Sequence, residues 1–240
     1  MRKKAKRIQT AMQKYIESRI AEVKEKAALA AERGGFAPPT LVAVTKKMTD
    51  EQLFMTLRAG ITDIAENYPQ NFAKRYELLS QSGIAMPNMH LIGSLQTNKV
   101  KLVLGKAALI HSLDRESLAL ALSKEAQKQG ISAKVLLEIN CGREANKGGV
   151  FPEDAERLAN FVCSLGGISL AGVMTMAPVC ENKEDYRPYF KEVRRLYEKM
   201  KESGLFDTDS PVLSMGMSGS YEIAAEEGAT LIRVGQALYT

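Results

Sequence analysis

The sequence predicts an α/β protein, a single (β/α)8 barrel of the TIM type preceded by an N-terminal helix. Three observations carry this reading. Short apolar runs alternate with amphipathic helical stretches from residue 41 onward, and eight such repeats can be counted. No Gly-rich turn follows an early strand, as an open doubly wound sheet would require. No linker or low-complexity stretch interrupts the 240 residues, so 1–240 reads as one domain, with 1–35 as a helix packed on the barrel.

The first helix spans about 6–33, where Ile8, Met12, Tyr15, Ile16, Ile20 and Val23 recur at helical spacing and Gly34-Gly35 end the pattern. Strands are then expected at 41–45, 63–65, 89–93, 108–111, 134–140, 170–174, 212–214 and 230–234. Of these, 134–140 is the longest and most β-branched. The intervening helices fall at 49–59, through Phe72 and Leu79, and at 94–104 and 115–129. Later ones begin at Pro152, a residue favoured in a first turn, and span 183–202 and 218–227.

Composition narrows the class. At 45% hydrophobic and 25% charged, the chain has the balance of an ordinary globular protein. The net charge of +5 owes much to Arg2, Lys3, Lys4, Lys6 and Arg7. Such a cluster could meet nucleic acid or acidic lipid. With no aromatic residues interleaved and no nucleic-acid module, it reads as a solvated helix end. Cys141, Cys163 and Cys180 are odd in number and lack metal-ligand spacing, and there are only two histidines, His90 and His111. No signal peptide or membrane-spanning run is visible. The expectation is a cytoplasmic protein with no structural disulfide, metal, membrane or nucleic-acid partner.

Barrels of this kind place their active groups at the C-terminal ends of the strands. The first strand leads into Lys46, whose amine would point into the barrel mouth, be desolvated there and act as a nucleophile toward an aldehyde. The seventh leads into Ser214-Met215-Gly216-Met217-Ser218, with two hydroxyls and a Gly-opened backbone ahead of a helix, a place that favours an anion. The alternative for Ser218 alone is a helix N-cap. The eighth contributes Gly235, where backbone can approach closely, and Arg233, a permanent cation that only donates hydrogen bonds. A Schiff-base lysine with a phosphate cradle suggests a phosphorylated aldehyde, and pyridoxal 5′-phosphate (PLP) is the common biological example. Arg233 facing the pyridine nitrogen would keep it unprotonated and the ring a weak electron sink.

At these residues the sequence closely resembles the pyridoxal phosphate homeostasis protein family (the YggS/PROSC type), whose barrel is similar to the N-terminal domain of alanine racemase. The matching segments are Ala43-Val44-Thr45-Lys46, Glu66-Asn67-Tyr68-Pro69-Gln70, His90-Leu91-Ile92-Gly93-Ser94-Leu95-Gln96 and His111-Ser112-Leu113-Asp114. They continue with Gly172-Val173-Met174-Thr175-Met176, Leu213-Ser214-Met215-Gly216-Met217-Ser218 and Arg233-Val234-Gly235. The resemblance implies that Lys46 is the cofactor lysine, that Ser214, Gly216, Met217, Ser218 and Gly235 surround the phosphate, and that Arg233 lies near the pyridine nitrogen. Asn67 is implied beside the ring or the lysine, and Met174 is counted among the cofactor-binding residues. It further implies a protein that buffers PLP or delivers it to apo-enzymes, without established turnover. Ala65, Gly219-Ser220 and Lys147-Gly148-Gly149 depart from the family pattern. The competing reading is an amino-acid racemase, with Tyr68 as a stand-in second base. Against it stand Arg233 and the lack, in 240 residues, of the added β-domain whose dimer contact such enzymes use; a monomer is expected.

Overall fold

The computed structural model describes residues 2–239, and for 2–6 and 8 the helical backbone alone. The basic side chains Arg2, Lys3, Lys4 and Lys6 therefore lie outside the described residues, while Arg7 is exposed. Eight parallel strands close into a barrel in chain order. They are β1 (Thr40–Val44), β2 (Asp63–Glu66), β3 (Asn88–Leu91), β4 (Leu109–Leu113), β5 (Ala133–Ile139), β6 (Ile168–Thr175), β7 (Val212–Ser214) and β8 (Leu231–Val234). Closure pairs β1 with β8 through Val42↔Arg233 and Ala43↔Val234, so the ends of those strands are neighbours. The longest strand is β6, with 8 residues against 7 in β5, contrary to expectation.

Helix α1 (Arg2–Gly34) precedes the barrel. Its buried face, Ile16, Ile20, Val23 and Ala27, joins the main apolar cluster between the strands and the outer helices. That outer layer comprises α2 (Asp50–Arg58), α3 (Pro69–Ser80), α4 (Val100–Val103), α5 (Glu116–Gln129), α6 (Ala155–Cys163), α7 (Arg187–Glu202) and α8 (Tyr221–Glu226). Helix α2 starts where a capping box specifies it. The Gln52 amide donates to Thr49 Oγ1 at 3.2 Å, and the Thr49 amide donates to Gln52 Oε1 at 3.0 Å. Thr49→Ala is expected to lower stability by about 1 kcal/mol, as read from the denaturation midpoint in urea.

Four expected helices differ in detail, one of them the 183–202 stretch, where a 3₁₀ turn (Lys183–Tyr186) precedes α7. In the 94–104 stretch only a 3₁₀ turn (Thr97–Lys99) and the single-turn α4 form. Its polar first half, Ser94-Leu95-Gln96-Thr97-Asn98-Lys99, offers no apolar stripe to bury. Pro152 opens a 3₁₀ turn ahead of α6. Helix α8 begins at Tyr221, with Ser220 in the cap position, so Ser218 is not the N-cap.

Because side chains alternate along each strand, every second residue points into the barrel. The lumen is filled by two small apolar clusters, Val42, Ala65, Ile92 and Leu231 on one side and Leu109, Leu136, Ala171 and Met174 on the other. The parity that sends Val42 and Val44 inward continues to Lys46. Among the described residues no helix is long and apolar enough to cross a membrane.

Candidate functional site

A buried chain of polar side chains runs through the lumen toward the strands' C-terminal ends. Asp63 Oδ1 lies 3.1 Å from His90 Nε2, and His90 Nδ1 lies 2.9 Å from His111 Nε2. His111 Nδ1 is 3.2 Å from Ser214 Oγ, which also accepts from the Arg233 guanidinium at 2.5 Å. Arg233 makes a second bond, 2.8 Å, to the Thr175 carbonyl. These side chains come from β2, β3, β4, β7 and β8. Burial pushes the His111 imidazole well below its ordinary range, and the neighbouring His90 and the Arg233 charge add to that. Asp63 is held below the usual carboxylate range: burial opposes this, but hydrogen bonds from His90, Thr62 and Asn88 prevail.

Arg233 is 2% exposed, and burial lowers its guanidinium to about 10 despite the opposing charge of Glu138. Glu138, on β5, is pushed up to about 7 by burial and by Asp114, with Arg233 pulling the other way. Both partners thus shift toward neutrality, so the desolvation of each outweighs their mutual attraction. Sequence reasoning did not single out Glu138, Asp63 or the pairing of the histidines. The available signal was a polar or charged residue standing inside an apolar run, as in Leu136-Leu137-Glu138-Ile139 and Met89-His90-Leu91.

Above this chain lie the strand-end residues. Lys46 is exposed, not desolvated as expected. The preceding Thr45 is fixed, donating to Glu66 Oε1 at 2.5 Å. Asn67 is half-buried with its Oδ1 enclosed and unpartnered, and a Cβ built on Gly93 would meet the Asn67 carbonyl oxygen at 2.1 Å. Only glycine at 93 therefore lets Asn67 stand where it does. Tyr68 is 62% exposed, a rim residue.

Gly216 adopts φ 88°, and a Cβ there would come within 2.5 Å of the Ala224 side chain. The bare backbone lets the loop after β7 fold down onto α8, and the Gly216 carbonyl accepts from the Arg233 amide at 3.0 Å. Ser218 Oγ accepts from the amides of Gly235 and Ala237, each at 3.4 Å. With its oxygen held by these two amides, the Ser218 hydroxyl keeps its proton free to donate to an anion. Met217 is exposed and Met174 is fully buried in the lumen. The structure thus brings Ser218, Gly235 and Gly216 together, and sets Ser214 and Arg233 below them. Two surface clefts, of about 320 and 480 Å³, open instead at the strands' N-terminal ends around Thr40, Thr62 and Asn88, away from these groups.

Residues 18–240 match the family described as alanine racemase, N-terminal domain. The chain is 40% identical to the pyridoxal phosphate homeostasis protein of Aquifex aeolicus (strain VF5) over 223 residues, covering 92% of this chain and 96% of the relative. The chain belongs to the pyridoxal phosphate homeostasis protein family. Among solved structures, PipY of Synechococcus elongatus PCC7942, determined with PLP bound, matches with a TM-score of 0.79 at 26% identity, over 94% of this chain and 100% of that one. Alanine racemase of Clostridium difficile 630 matches with a TM-score of 0.70 at 15% identity over 90% of this chain and 56% of that one, a likeness of fold.

Proposed function

We propose that this homeostasis-family chain binds PLP in the barrel mouth as a Schiff base on Lys46, and that it buffers or delivers the cofactor instead of turning over substrate with it. The observation that carries the reading is the conjunction at the ends of β1, β7 and β8. Lys46 follows β1, the strand paired with β8, and the Ser218 hydroxyl is held by the Gly235 and Ala237 amides at the end of β8, whose Arg233 guanidinium is buried. The residues present fit the group. The donor set suits a phosphate, Arg233 suits an unprotonated ring nitrogen, and the unpartnered Asn67 Oδ1 is a polar atom in want of a donor.

When bound, PLP would supply an aldehyde and an electron-accepting ring. The protein's own part is to hold that ring with its nitrogen unprotonated, which Arg233 favours because it cannot accept a hydrogen bond. A weak electron sink speaks for a carrier over a racemase. The exposed position of Tyr68 leaves a second base unsupported as well. Delivery to apo-enzymes is supported by the apolar rim of the mouth, where Tyr68, Phe151, Met176, Val179 and Met217 are exposed. Existence as a cytoplasmic monomer completes the reading.

The test uses wild-type protein incubated with excess PLP, followed by its visible absorption, borohydride reduction and peptide mapping. A visible band and a reduced adduct on Lys46 are expected. A colourless protein, or an adduct spread over surface lysines, would sink the proposal.

A further inference from the structure

Ser214 was expected on resemblance to help hold the phosphate. Its surroundings assign it another task. A serine hydroxyl has one proton to donate and two lone pairs. One lone pair receives the Arg233 guanidinium at 2.5 Å, and the neighbour at 3.2 Å is His111 Nδ1. Where the hydroxyl proton points is decided lower in the lumen. Asp63 also accepts from Thr62 Oγ1 and Asn88 Nδ2, so its carboxylate is an acceptor for three donors. His90 must then present its proton on Nε2 toward Asp63 and accept at Nδ1. His111 must present its proton on Nε2 toward His90 and accept at Nδ1. Among the described residues the donor left for His111 Nδ1 is the Ser214 hydroxyl. The opposite polarity needs one more proton, on Asp63 or on the buried His90 ring, within a lumen that already holds the Arg233 charge.

We infer that Ser214 is a positioning residue for Arg233 and not a phosphate ligand, the link in a one-directional hydrogen-bond chain Arg233→Ser214→His111→His90→Asp63. The chain joins a cation at the mouth to an anion near the lower end of the barrel and makes each ring nitrogen either donor or acceptor. With its proton committed downward and one lone pair engaged, Ser214 has nothing to donate to an anion whose oxygens only accept. Phosphate recognition then falls to the Ser218 hydroxyl, whose oxygen is held by the Gly235 and Ala237 amides and whose proton is free to donate. The inference rests on the PLP reading above for its functional meaning. Its hydrogen-bond polarity can be measured without any ligand.

The first measurement is long-range 15N–1H correlation NMR on untagged wild-type protein at about pH 7.5, where an unperturbed imidazole is neutral. The chain has only 2 histidines, so the spectrum holds two ring systems to assign. Both are expected as neutral Nε2–H tautomers, before and after addition of PLP. A His111 ring protonated on Nδ1, or either ring charged, would overturn the inference, since the Ser214 hydroxyl would then be free.

The second measurement compares affinities for PLP and for pyridoxal, which lacks the phosphate, in wild type, Ser214→Ala and Ser218→Ala. Loss of a phosphate donor should cut the preference for PLP by about tenfold or more, as expected for Ser218→Ala. Ser214→Ala should weaken both ligands together and hold that preference within about twofold, because Arg233 faces the ring and not the phosphate. If Ser214→Ala instead erodes the preference as Ser218→Ala does, the inference fails while the PLP reading stands. If wild type shows no preference for PLP over pyridoxal, the PLP reading fails and the functional role of the chain falls with it.

Discussion

Lys46→Ala is expected to abolish the covalent attachment of PLP while leaving the barrel as stable as before. Lys46 is exposed, and the strand end beside it is held by others: Thr45 Oγ1 by Glu66, and the Thr45 amide by the Ala65 carbonyl. Truncation of such a side chain should move stability by no more than about 0.5 kcal/mol. The ligand side is different. Without the amine no imine can form at this position, and the cofactor is left with the Ser218 cradle and Arg233. Affinity should fall by roughly a hundredfold or more, since noncovalent contacts alone remain. Borohydride should fix no adduct. Pairing thermal melts with absorption titration separates the two effects. An unchanged visible band in the variant would move the attachment to another lysine. A large drop in melting temperature would mean that Lys46 is structural.

The asymmetry of that prediction reflects what a sequence reveals. The order of strands and helices was readable because each strand of a parallel barrel, covered on both faces, is a short apolar run, and each outer helix must carry an apolar stripe. The strand-end residues were readable because a barrel presents its chemistry there. The interior chain was not, since no local pattern links Asp63, His90, His111, Ser214 and Arg233; only closure of the sheet brings β2, β3, β4, β7 and β8 round one lumen. Alternation could have predicted that His90, His111 and Arg233 share the inner face, but not which atoms meet. The stretch after β3 misled for the opposite reason. Its residues tolerate a helix, but without an apolar stripe nothing there pays for more than one turn. Ser218 is a favoured cap type, yet α8 starts only after Ser220, which makes no side-chain cap bond, because the start depends on the turn at Gly216, a tertiary matter.

Glu138→Gln is expected to stabilise the protein at pH 8 and to flatten its pH dependence. Glu138 faces Asp114 from the end of β4 and Arg233 from β8, and a Cβ built on Gly148 would lie 3.5 Å from its carboxylate. Burial and Asp114 together outweigh Arg233, so the folded state holds the proton up to about pH 7. An unfolded glutamate releases it near its ordinary value of about 4.3. Between these two values the folded protein binds more protons than the unfolded chain, so stability falls as pH rises and levels off above about pH 7. The full loss amounts to about 4 kcal/mol. Glutamine keeps the shape of the neutral acid and cannot ionise, so the variant should escape the loss. Its advantage should approach about 4 kcal/mol at pH 8 and shrink to about 1 kcal/mol at pH 5. Urea denaturation of both proteins at the two pH values measures this directly. Parallel curves would mean that Glu138 is already ionised in the folded state at neutral pH, its charge held by Arg233. In that case Arg233 would meet the cofactor ring as half of an ion pair. With the proton in place it meets the ring as an unopposed cation, and the charge at the base of the site then changes with pH in the neutral range.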